Sequence, residues 1–354
     1  MNSYTLELMD DQLLNPIPFI AFCRTNEGRD ITVIVNQESH CLKSCGVYAI
    51  LDIFQFKSVT IETRNAVEEH EKYQIINDGW DWWLNTERTS KFNYSSDYSW
   101  DQSKIFGCFY ARPNAPRLGI AGYLNNKYPD QSLFKIKFNK SDEDIRKHFE
   151  LAKIFSWDPN SLDTIDQLLK SVIPSTDDAY NYTTGQYDYG HALHQSYQHI
   201  FVDIISEAVN QGRSFYPTEK FARAVLCKKP FIVMSTPFYL RYLKQIGFRT
   251  FNRFWSEDYD DLGMNNRYWS ILKLIDHLAS LSIEQLTELI EQLRPIVEHN
   301  YQLLINEGYA MLKLSQDLSL TMNKPIYYLI TKKVLRKTLI LQGIPCIITM
   351  NSHL

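Results

Sequence analysis

Residues 206–261 constrain the fold more than any other stretch, because helix and strand signals alternate there over short distances. Thr218 is a good N-cap for a helix beginning at Glu219, its hydroxyl able to satisfy an orphan amide. Phe221, Ala224 and Val225 share one helical face, and Lys228, Lys229 and Pro230 end the helix with positive charge at the negative end of its dipole. Residues 231–234, FIVM, form an apolar run of strand length. Ser235, Thr236 and Pro237 then open a second helix, which Gly247 stops. Such alternation predicts a parallel sheet covered by helices. Open parallel sheets bind ligands at their carboxyl ends, where helix N-termini present free amides. Glu219 and Lys220 stand at one such N-terminus, an acid suited to hydroxyls beside a base suited to phosphates, as a nucleotide-type ligand requires. Replacing Lys220 is expected to weaken ligand binding and to leave folding almost unchanged.

The run TEKFARAVLCKKPFIV resembles the donor-site motif of α1,3-fucosyltransferase-like enzymes. Its continuation through residue 262 is similar to uncharacterised glycosyltransferase-like proteins of bacteria and phages. The similarity covers residues 206–300, with a weaker echo at 105–124. It implies an α/β, GT-B-like architecture of two Rossmann-like domains facing a cleft. Residues 1–103 with 313–354 would form the acceptor side, and residues 104–312 the nucleotide-sugar-binding side. In these families an arginine after the first strand of the second domain faces the donor pyrophosphate. Arg117 matches the start of that helix, and Arg112 matches a glycine-arginine pair in which Ala111 here replaces the glycine. Ser206 and Glu207 match the serine and acid that precede Thr218, Glu219 and Lys220. The resemblance implies that these seven residues bind the donor, and that the leaving diphosphate is stabilised without metal or other cofactor.

At 354 residues the chain is long enough for two domains, and 44% apolar with 22% charged residues is ordinary globular composition. A net charge of −4 argues against a general polyanion binder. The start MNSYTLELMDDQLLN lacks a basic segment followed by an apolar core, and no run of about eighteen apolar residues occurs, so no membrane span and a cytoplasmic location are expected. Six cysteines are too few for a disulfide scaffold. His40, Cys41 and Cys45 read as ordinary buried thiols with a histidine, or as an incomplete metal cluster lacking a fourth ligand.

Along the chain, 31–35 and 47–54 read as strands. Asp78 and Asp81 flank Gly79 among Trp80, Trp82 and Trp83. A carboxylate among aromatic faces suits an acceptor cleft, because apolar surroundings raise its pKa and make it a better base. The alternative is a turn bonded through Asp78. Residues 86–104 read as an interdomain connection, 105–110 as a strand, 133–138 as a short strand and 142–155 as a helix. The stretch 175–194, with four tyrosines and no period, reads as a loop covering a site. Of His191, His194 and His199, the first two read as surface groups, acid–base groups or metal ligands. Helices are expected at 267–281 and 283–304, with Asp276, Glu284, Glu288 and Glu291 on a solvated face, and the strand-like tail is expected to return to the first domain.

The expectation is therefore a transferase that moves a sugar from a nucleotide-sugar to a hydroxyl acceptor, which the sequence leaves open between glycan, lipid, protein and a modified DNA base. Asp81, or else Asp78, is the expected base. Lys220, Arg112 and Arg117 are the expected leaving-group set, and Glu219 the ribose or sugar contact. Asp258 and Asp260 imitate a metal-binding DxD pair but read as a donor-side loop. A non-catalytic nucleotide- or sugar-binding protein of the same fold is the competing reading.

Overall fold

The computed structural model describes residues 2–9, 12–35, 39–77, 98–110, 114–136, 180–181, 186–187 and 195–306. Asp78, Asp81, Arg112, His191, His194, the segment 142–155 and the tail 313–354 lie outside these residues. The chain is α/β, with two four-stranded sheets of parallel strands and, among the described residues, seven α-helices.

The first sheet contains β1 (Asn2–Thr5), and a two-residue hairpin of β2 (Leu8–Met9) and β3 (Gln12–Leu13) follows that strand. Helix α1 (Pro16–Thr25) starts with two prolines in its first turn, where a missing N–H is harmless, and buries Phe19 and Cys23 one turn apart. It leads to β4 (Asp30–Val35), α2 (Val47–Leu51), β5 (Ser58–Thr63) and β6 (Gln74–Asn77). The order is β1-β4-β5-β6, all parallel, so the strands add in one direction. Val33 lies between Tyr4 and Ile61, and Ile61 between Val33 and Ile75.

The expected strand over 47–54 is instead α2. Gly46 takes a left-handed φ of 76° and turns the chain directly into the helix. Val47, Tyr48 and Leu51 then fill the space against the sheet at helical spacing. Burial on one face, and not β-propensity, decides this segment.

The second sheet is built from β7 (Lys104–Tyr110), β8 (Ser132–Ile136), β11 (Ile200–Ser206) and β12 (Phe231–Met234). A two-residue antiparallel ladder of β9 (Tyr180–Asn181) and β10 (Gln186–Tyr187) stands apart from it, within the stretch read as a loop. Every residue of β11 and β12 is buried, as a parallel strand covered on both faces requires. Helix α3 (Ala115–Lys127) is capped by Asn114, whose Oδ1 accepts from the Arg117 amide at 2.9 Å, and its first ten residues are all buried. Helix α4 (Glu219–Leu226) is buried along its whole length, packed against α7 (Ile283–Asn306).

Between these lie α5 (Tyr239–Gln245) and α6 (Met264–Ala279). Ser235 and Thr236 do not open α5 as expected, because the Thr236 hydroxyl donates to the Ser214 carbonyl. Phe238, at φ 67°, makes the turn, and Asp260 caps α5 from 20 residues downstream by accepting from the amides of Leu240 (2.8 Å) and Arg241 (3.0 Å). Asp276 is likewise not a merely solvated side chain. Its Oδ1 accepts from the Tyr123 and Tyr128 hydroxyls at 2.6 and 2.7 Å and pairs with Lys127 at 2.9 Å, tying α3 to α6. Lys229 does more than end α4, since its buried ammonium donates to the carbonyls of Ser99 and, at 2.9 Å, Ile200. No helix among the described residues is long and apolar enough to cross a membrane.

Candidate functional site

The strand order of the second sheet is β12-β11-β7-β8, so the chain goes from β7 to β8 on one side and returns to β11 on the other. Such a reversal leaves a crevice outside the carboxyl ends of the two central strands, here Tyr110 and Ser206, which is where open α/β sheets take ligands. The first sheet has no reversal among its described strands.

The two sheets meet through the segments that follow their strand ends. Beyond β4 lies Ser39, whose Oγ is 2.5 Å from Ser214 Oγ, and the Ser214 hydroxyl donates to the Ser39 carbonyl at 2.7 Å. Beyond β5 lies Asn65, fully buried, which accepts from the Phe215 amide at 3.0 Å and donates to the Arg213 carbonyl at 2.9 Å. Ala66 N donates to the Phe215 carbonyl at 3.1 Å, and Arg213 pairs with Glu69. Glu68 anchors this junction from below by accepting from Tyr48 OH and Asn65 Nδ2, both at 2.7 Å. Gly212 is required here: its φ is +72°, and a Cβ would lie 2.5 Å from Cys41 Cβ. The carboxyl ends of both parallel sheets therefore abut across residues 207–218.

Behind that junction sits a buried polar cluster. Thr218 caps α4 by accepting from the Lys220 amide, as its sequence position predicts, and its hydroxyl is 2.7 and 3.0 Å from the two carboxylate oxygens of Glu207. Tyr239 OH donates to Glu207 at 3.3 Å. Lys220 Nζ lies 2.8 Å from Glu219 Oε1 and 3.6 Å from Glu207 Oε2. All of these side chains are buried. Burial pushes the Glu207 carboxyl up, with Lys220 opposing it. Burial pushes on Glu219 too, but Lys220 and Arg223 outweigh it and hold that carboxyl at about 2. Lys220 is thus an internal counter-ion as well as a candidate ligand contact, which corrects the expectation that folding would hardly need it.

Of the seven donor-site residues expected, Ser206, Glu207, Thr218, Glu219, Lys220 and Arg117 come together. Arg117 lies buried beneath the cluster, where its Nε and one Nη donate to the Ser206 carbonyl at 3.0 and 2.8 Å. The Ser206 hydroxyl is buried without a partner among the described residues. Asn114, Tyr239, Ser39, Asn65 and Ser214 were missed. Asn114 donates to the Glu207 carbonyl at 3.1 Å as well as capping α3, and an Asn three residues before Arg117 was a legible cap signal. The others carried none.

The recess in front of Glu207 and Thr218, closed by Ser39, Ser214 and Thr236, is about 20 Å³, the space of roughly one water. Asp260 has both carboxylate oxygens committed to α5, and Asp258 is held by Ser256 at 2.8 Å. Among the described residues no three His, Cys, Asp or Glu side chains are grouped to hold a metal ion, Cys41 packing instead beside Gly212. The chain was compared with protein-family models, curated proteins and solved structures, and no match was found.

Proposed function

We propose that this chain is a nucleotide-sugar-dependent glycosyltransferase of the GT-B kind, resembling the α1,3-fucosyltransferase-like enzymes, with its donor bound at the amino end of α4. The observation that supports this most is the meeting of two parallel sheets at their carboxyl ends, with the strand-order reversal and the Lys220–Glu219 pair on one side of the junction. A diphosphate leaving group needs fixed positive charge in a place that excludes water. The Lys220 ammonium and the free amides of α4 would supply it once a phosphate replaced Glu219 as the partner of Lys220, freeing the Glu219 carboxylate for a sugar or ribose hydroxyl. Asp81, or else Asp78, would take the acceptor proton. Because the recess holds about one water, the donor enters only when residues 207–218 part from Ser39.

The test is a sugar-nucleotide panel scored for release of free nucleoside diphosphate, paired with calorimetry of the diphosphate itself. The double substitution Lys220→Met with Glu219→Gln removes one charge of each sign and leaves the net charge of the cluster unchanged. Diphosphate affinity should fall by at least about tenfold, the effect of losing a hydrogen bond to a charged group. Unchanged affinity in that variant removes the donor site from α4. Diphosphate binding without turnover on any donor would favour a binding protein of the same fold.

A further inference from the structure

A second cavity, of about 390 Å³, lies on another part of the C-terminal layer, between α6 and residues 255–259. That volume falls in the range of about 300–1,000 Å³ typical of small-molecule sites. Its floor is apolar and rigid: Trp255, Tyr259 and Leu274 are almost wholly buried, and Trp255 is packed against Phe251 with ring centres 5.1 Å apart. The Trp255 indole N–H is buried with no acceptor among the described residues.

Its rim is polar, with the Lys273 ammonium and the His277 imidazole on one side and the Asp258 carboxylate on the other. Lys273 and His277 sit four residues apart on α6, hence on one face, and both line the cavity. Neither side chain has a hydrogen bond or ion pair among the described residues. The one carboxylate at the rim, Asp258, is already held by the Ser256 hydroxyl at 2.8 Å, with the Asp258 amide donating back to Ser256 Oγ at 3.2 Å. Solvated surface groups are ordinary; an uncommitted ammonium and an uncommitted imidazole bordering a ligand-sized apolar hollow are a recognition pattern, since the hollow takes an apolar body and the Lys273 ammonium with the His277 ring N–H takes its charged end.

We propose that this cavity binds a small anion with a flat apolar body, its ring on Trp255, Tyr259 and Leu274 and its phosphate or carboxylate between Lys273 and His277. The site is independent of the one at α4.

The full chain should be titrated by calorimetry with 1-naphthyl phosphate, 1-naphthoate, 1-naphthol and inorganic phosphate. Naphthyl phosphate or naphthoate should bind at least about tenfold more tightly than naphthol or phosphate, and their order identifies the preferred anion. Lys273→Ala and His277→Ala, both at exposed positions, should each weaken binding by up to about fivefold, as for solvent-exposed ion pairs. Ser270→Trp, which fills the cavity from α6, should abolish it. The Lys220→Met, Glu219→Gln pair should leave it unchanged. Equal binding of naphthol, full affinity with Lys273 and His277 both replaced, or loss only in the Lys220 and Glu219 pair would each overturn the proposal, the last by moving the anion to α4.

Discussion

Removing the Lys220 charge should destabilise the protein, and the size of the effect follows from its partners. Glu219 is held at about 2 against its ordinary 4.5, although burial alone would raise it. Lys220 is the first of the groups that hold it down, ahead of Arg223. A depression of that size corresponds to about 3 kcal/mol of preference for the charged carboxyl in the folded state. Because the folded value lies below the ordinary one, this stability is present above pH 4.5 and is lost as the pH falls toward 2. Lys220→Met keeps the length of the side chain and removes its charge, leaving Glu219 and Glu207 buried with less compensation. Breaking a buried pair from one side usually costs about 3–5 kcal/mol, which agrees. Urea unfolding at pH 7, followed by far-UV circular dichroism, should show a loss of about 3 kcal/mol. Glu219→Gln added to Lys220→Met should recover most of it, because the stranded charge is gone. Stability of Lys220→Met within about 0.5 kcal/mol of the unsubstituted chain, or no recovery in the double variant, would refute the internal counter-ion.

Three further outcomes test other parts of the structure. Burial pushes Asp203, on β11, up to about 7, eased by the Tyr197 hydroxyl at 2.8 Å, so its folded value lies above the ordinary 3.8 and stability should decline as pH rises from about 4 to about 7. Asp203→Asn should flatten that decline and raise Tm at pH 8; an unchanged Tm-against-pH curve would count against it. Gly212→Ala forces a side chain into a left-handed backbone facing Cys41, at roughly 1–3 kcal/mol, and should speed amide exchange at 39–45 and 207–216 together. Protection unchanged in both segments would mean that the junction is not held there. Asp260→Ala strips α5 of its cap, costing about 1–2 kcal/mol in thermal unfolding, whereas a carboxylate that served only as surface charge would cost almost nothing.

How much was legible beforehand depended on how far apart the interacting residues are. The strand Phe231–Met234, the Thr218 cap and the start of α4 were readable because each is decided by residues within a few positions: an apolar run bounded by proline and serine, and a hydroxyl placed two residues before the amide it accepts from. Glu219 and Lys220 were placed at a strand-end crevice by the parallel-sheet pattern, whereas Ser206 and Glu207 were singled out only by resemblance to the fucosyltransferase-like motif. Helix α2 was misread, because Val47, Tyr48 and Ile50 have strand-like side chains that turn helical here where a sheet offers a face to cover. The cap of α5 was misread because its carboxylate comes from Asp260. Ser39 and Ser214 are 175 positions apart, and nothing in either neighbourhood signals the other. The same holds for the burial of Lys220: a lysine at a helix start reads as exposed, and only the folded chain encloses it among Glu207, Thr218 and Glu219. Local free energies of caps, turns and periodicity are written into short stretches of sequence, whereas which charges lose their water is decided only when distant surfaces pack.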